Sequence, residues 1–90
     1  MTPEDQPKFK TRNTNRLRAL RRRIGGNIHE WRTRRRYTID TLARRTGFST
    51  ATIDRLEIGR GDIGLEHMML IADAMGIGIE ELVRDPTEIV

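Results

Sequence analysis

Two helix starts and two helix stops fall between Thr38 and Gly59, and little but a pair of short helices fits between them. Thr38 stands just before Ile39, Leu42 and Ala43, which share one helical face. Its hydroxyl is free to accept from the first exposed backbone N–H groups of that helix. Gly47 supplies the left-handed residue that ends a helix without a Cβ clash. Ser49 repeats the start, ahead of the apolar residues Ala51, Ile53 and Leu56, and Gly59 repeats the stop. The spacing predicts two helices meeting at a tight corner. The second exposes Thr50, Thr52, Asp54 and Arg55, short or cationic groups able to meet base edges or phosphates.

On the amino-terminal side, residues 1–14 read as a flexible basic arm. Pro3 and Pro7 discourage helix, Phe9 is nearly the only apolar residue, and the charges are Lys8, Lys10 and Arg12. Such an arm can reach a groove, collect phosphates or remain a plain tail. From Asn15 the pattern becomes helical, with Leu17, Leu20, Ile24, Ile28 and Trp31 stepping along one stripe. Arg16, Arg18, Arg21, Arg22 and Arg23 lie between them, either on a helical extension, the favoured reading, or on an arm that orders on DNA. Gly25 and Gly26 each cost about 1 kcal/mol relative to Ala inside a helix, so they mark a kink or a close helix contact. Arg34, Arg35 and Arg36 suit the negative pole where this helix closes.

Beyond Gly59, residues 60–64 form a loop. Leu65, Met68, Ile71, Ala72 and Met75 make the inward face of a fourth helix that ends at Gly76, with Met69 and Leu70 off that stripe. Glu80 and Glu81 lead a short fifth helix whose Ile79, Leu82 and Val83 face the core or a partner. Asp85-Pro86 stops it, leaving 85–90 as a loose tail. The domain proper is 15–84, with the motif at 38–59.

This ordered set resembles the Cro/repressor-type (Xre-like, lambda-repressor-like) helix-turn-helix DNA-binding family. The resemblance runs from about Ile24 to Val83. It rests on Leu42-Ala43, Gly47, Ser49, Ile53, Leu56-Glu57 and Gly59, followed by the segment GLEHMMLIADAMGIGIEEL from Gly64 to Leu82. It implies an all-α, five-helix lambda-repressor-like helix-turn-helix domain, here with a basic N-terminal extension. It also implies that the second motif helix enters the major groove, with Thr50, Ala51 and Arg55 reading bases. Thr50 can donate or accept a hydrogen bond, Ala51 can touch a thymine methyl, and Arg55 can grip guanine or a phosphate. Phosphate contacts are expected from the backbone near Thr38 and Ile39, and from Arg36, Arg44, Arg45, Thr52 and Arg60. Lys8, Lys10, Arg12 and Arg16 add to these. Relatives often carry polar residues where Ile39 and Ile58 stand, so two expected phosphate hydrogen bonds are missing here.

The resemblance further implies a structural ion pair between Arg32 and Glu57, and a homodimer on a palindromic operator. Met69, Leu70, Ile79 and Val83 are the apolar candidates for the subunit interface. Charge supports a polyanionic partner: residues 1–56 hold 15 Lys/Arg against 5 Asp/Glu, whereas 57–90 hold 2 against 8.

Other classes find little support. With no cysteine there is neither a disulfide framework nor a thiolate metal site. No apolar run approaches the roughly 20 residues of a membrane span, and the start lacks a signal-peptide core. A cytoplasmic protein, associated with a bacterial or phage nucleoid, is the simplest expectation. His29 and His67 lie far apart, Ser49 reads as a cap, and Gly25-Gly26 lacks a preceding strand and a following lysine. No enzyme, cofactor or metal is expected. The expected function is sequence-specific double-stranded DNA binding in transcription control, with repression the favoured direction. The alternative is an antitoxin or helical protein-interaction adaptor, with a protein partner and secondary DNA binding.

Overall fold

The caps at Thr38, Gly47, Ser49 and Gly76 all delimit helices. The computed structural model describes residues 5–87, with side chains described from residue 14 onward. Five helices follow in order: α1 (Asp5–Arg34), α2 (Ile39–Thr46), α3 (Thr50–Glu57), α4 (Leu65–Met75) and α5 (Glu80–Val83). Among the described residues there is no strand, and no helix is long and apolar enough to cross a membrane.

The core takes one fully buried side chain from each helix: Ile28, Leu42, Ile53, Ile71 and Leu82. Ile24, Ala43, Leu56, Ala72 and Met75 complete it. Burying each large aliphatic side chain contributes about 1.5–3 kcal/mol, so no helix can leave without exposing a residue the others enclose. α1 packs against α3, α4 and α5, while α2 packs against α3 and α4.

α1 departs from the sequence reading at both ends. It runs without a break from Asp5, where the sequence suggests a loose arm to residue 14. Pro7 falls in its first turn, where a missing N–H breaks no intrahelical bond. The side chains of Lys8, Lys10 and Arg12 lie outside the described residues, as do residues 1–4 and 88–90. The apolar stripe also reaches past the body it serves. Ile24 and Ile28 are buried, but Leu17 and Leu20 are 47% and 37% exposed. At the carboxyl end, Arg36 occupies the left-handed position with φ 59°. Its N–H bonds to Thr33 O and that of Tyr37 to Arg32 O, both at 3.0 Å, a pattern that usually places glycine there. A side chain in this conformation costs about 1–2 kcal/mol, which the paired bonds and the Arg32–Tyr37 contact described below offset. Leu65, expected inward, is 68% exposed, because α4 turns its first residue away from the core.

Polar side chains of α1 tie down the carboxyl ends of other helices. Asn27 is buried, and its Nδ2 donates to Leu82 O and Arg84 O, both at 2.8 Å. Arg35 Nε donates to Met75 O at 2.9 Å while its guanidinium lies over the Trp31 ring. These carbonyls are among those that a helix terminus leaves without an internal partner.

The two central glycines of α1 differ in purpose. A Cβ on Gly25 would collide with Leu56 O and stand 2.6 Å from Glu57 O, so glycine is what admits the end of α3 against α1. Gly26 faces open space, with nothing within 4 Å. Urea denaturation should therefore separate them. Gly26→Ala is expected to stabilise by up to about 1 kcal/mol through helix propensity. Gly25→Ala should destabilise by about 1–2 kcal/mol, because overpacking outweighs that gain.

Candidate nucleic-acid interface

The corner between α2 and α3 is fixed by short side chains bonding to nearby backbone. Thr38 Oγ1 accepts from Thr41 N at 3.0 Å, and Ser49 Oγ accepts from Thr52 N at 3.1 Å. Gly47 ends α2 with φ 81°, its N–H bonding to Ala43 O at 2.8 Å. Thr46 Oγ1 donates to Leu42 O at 2.8 Å and takes the N–H of Phe48 at 3.3 Å. The Phe48 ring rests 5.0 Å from that of His67 on α4. Every backbone group of the corner named here has a partner, so α3 leaves α2 at a set angle.

Ile53 and Leu56 anchor α3 in the core, which turns Thr50, Ala51, Asp54 and Arg55 to solvent. Arg55 makes no ion pair with any described residue, leaving its fork of donors available. Thr52 is half-buried, its hydroxyl 2.9 Å from that of Ser49, so part of its hydrogen-bonding capacity is already engaged.

The carboxyl end of α3 is held by its last residue. Arg32 Nε donates to Glu57 Oε2 at 2.6 Å, and Arg32 Nη2 donates to Oε1 at 3.1 Å. This two-point fork places both side chains largely out of water, 11% and 7% exposed. Arg32 Nη1 also donates to Tyr37 O at 2.8 Å, so one guanidinium joins α1, the turn after it and α3. The hydrogen bond to Glu57 raises the Arg32 pKa above its ordinary value, against the opposing effect of burial. The guanidinium therefore keeps its charge across all ordinary pH. His29, absent from the sequence reading of this site, places Nδ1 2.9 Å from Glu57 Oε1. The signal for it was available: His29 and Arg32 are three apart and share a helix face. Beyond Glu57, Ile58 is 57% exposed, whereas Ile39 at the start of α2 is half-buried against the core.

The cations expected at a phosphate backbone are arranged unequally. Arg36 and Arg60 are exposed and make no ion pair among the described residues. Arg44 lies 3.2 Å from Asp40, an exposed pair on one helix that competes weakly with an outside anion. Arg45 lies over the Tyr37 ring at 4.6 Å. Arg16 sits on the exposed part of α1, away from the corner in sequence and on another helix. Of the interface candidates, Met69 and Val83 are exposed by 47% and 37%, and Leu70 and Ile79 are half-buried.

A family model described as helix-turn-helix matches residues 28–82, more than half of the chain. The chain belongs to the helix-turn-helix family. Its type is the Xre-like, lambda-repressor-like one read from the motif, and it is a DNA-binding transcription regulator. No curated protein matches significantly. Solved structures do. The restriction-modification controller protein C.AhdI from Aeromonas hydrophila superposes with a TM-score of 0.69 at 26% identity, over 71% of this chain and 97% of that one. The hypothetical transcription factor NHTF from Neisseria gives 0.72 at 25% identity, over 74% and 77%. The clp gene regulator ClgR from C. glutamicum gives 0.68 at 24% identity, over 70% and 82%, a likeness of fold.

The Arg32–Glu57 fork predicts strong coupling between its ends. In a double-mutant cycle with Arg32→Ala and Glu57→Ala, thermal or urea unfolding should return an interaction of about 1 kcal/mol or more. Additive losses would mean that the two charges do not stabilise one another.

Proposed function

We propose that this helix-turn-helix regulator is a sequence-specific repressor that binds a palindromic operator as a dimer, with α3 in the major groove of each half-site. The observation that supports it most is the exposure of Thr50, Ala51 and Arg55 on the face of α3 opposite Ile53 and Leu56. In this reading Thr50 exchanges a hydrogen bond with a base edge, Ala51 meets a thymine methyl, and Arg55 takes both acceptors of a guanine. Repression follows from occupying a promoter so that transcription cannot start there.

The backbone at the start of α2 receives a phosphate, with Thr38 at its cap. Arg36, Arg44, Arg45, Thr52 and Arg60 take further phosphates, as do Lys8, Lys10 and Arg12. Residues 15–84 form the DNA-binding domain, and Met69, Leu70, Ile79 and Val83 belong to the subunit contact. The protein acts in the cytoplasm, on DNA. Similarity to a restriction-modification controller over nearly the whole of that protein supports a regulator of this kind above an antitoxin.

Two measurements test the reading. Thr50→Ala combined with Arg55→Ala should abolish a specific footprint on an operator recovered by selection from genomic fragments, while leaving helix content unchanged. An intact footprint in that variant would remove α3 from base recognition. In a salt titration, log affinity should fall by nearly one unit per unit of log salt for each phosphate neutralised. A flat response would exclude a footprint built from several arginines.

A further inference from the structure

Two exposed helix faces in this chain have matching layouts and opposite charge. On α1, Arg16 and Arg23 bracket Leu17, Ala19 and Leu20, and these five residues line one shallow concavity. On α4, Glu66 and Asp73 bracket Met69 and Leu70 in the same way. In both cases the charges are seven residues apart, two turns or about 10.5 Å along the axis. Arg16, Glu66 and Asp73 make no ion pair among the described residues. Arg23 reaches Asp85 only at 3.8 Å, and Asp85 is already engaged by the Thr87 hydroxyl at 2.7 Å and the Thr87 N–H at 2.9 Å.

We propose that the Arg16–Arg23 face of α1 seats on the Glu66–Asp73 face of α4 in a second copy of this chain, reciprocally about a two-fold axis. The occupant is specified by charge. The α1 face is too basic to pair with itself, and the α4 face too acidic, because like charges opposed across a helix pair repel. Within one chain the two faces stay apart, since Leu17, Leu20 and Met69 are all solvent-exposed. A second copy offers to each face the charge and apolar surface that it lacks, and two-fold symmetry makes the contact twice and closes the assembly. The contact rests on the dimer of the preceding section and names what Met69 and Leu70 meet there. It also assigns Arg16 to the subunit contact, where the basic stretch alone suggests a phosphate.

Sedimentation equilibrium of the full chain without DNA tests it with two charge reversals, Arg16→Glu/Arg23→Glu and Glu66→Arg/Asp73→Arg. The wild type should be a dimer. Each reversed variant alone should dissociate, with a dimer constant weakened roughly tenfold or more. An equimolar mixture of the two should dimerise again, because both reciprocal contacts then join unlike charges. Circular dichroism melts of each variant check folding, and recovery in the mixture requires that both are folded. Variants that stay dimeric alone would overturn this contact and leave the dimer standing. Monomeric variants that fail to recover on mixing would also overturn it. A monomeric wild type would overturn the contact and the dimer together.

Discussion

The carboxyl ends of three helices converge on α1, and the rest of the structure depends on how α1 receives them. Gly25 lets the last carbonyls of α3 approach without a Cβ in the way. Asn27 donates to the terminal carbonyls at α5, and Arg35 to that of Met75 at the end of α4. Helix carboxyl ends carry unpaired acceptors and partial negative charge, so an amide donor and a guanidinium suit them. Arg32 adds a fourth tie through the Glu57 side chain, and the same guanidinium holds the turn at Tyr37. α1 is thus a frame rather than one more amphipathic layer. The pose of α3, and with it the direction in which Thr50, Ala51 and Arg55 face, is inherited from it.

Charge is divided along the same lines. The basic residues collect on α1 and the motif, and the acidic ones on α4, α5 and the loops between. A chain arranged this way is drawn to a polyanion by one end and repelled by it at the other, which orients it before any base is touched. The expected polar groups at Ile39 and Ile58 are replaced by an aliphatic side chain packed on the core and another left in solvent.

The parts of this architecture that depend on local chemistry were legible in the sequence. Thr38, Gly47 and Ser49 report their roles because a cap needs only its own neighbours along the chain. The Arg32–Glu57 pair was legible through resemblance, since nothing in a 25-residue separation indicates contact. Asn27 is not legible in the sequence, although it lies between Ile24 and Ile28 on the buried face, because its purpose depends on carbonyls 55 and 57 residues away. Leu17, Leu20 and Leu65 fit the periodicity of a buried stripe yet lie outside the body. Periodicity finds a face and is silent on whether anything covers it. In the sequence Arg36 shows only its charge, since a left-handed residue that is not glycine leaves no mark in composition.

α3 is held by one face and open to solvent on the other. Its anchors are Ile53, Leu56 and Glu57, and its open positions are Thr50, Ala51, Asp54 and Arg55. These two sets share no residue, so exchanging the open positions changes no buried contact and no hydrogen bond of the frame. The outward surface of α3 and the stability of the fold are therefore nearly independent variables in this chain. Its exposed side chains can be replaced a few at a time while the scaffold keeps its stability.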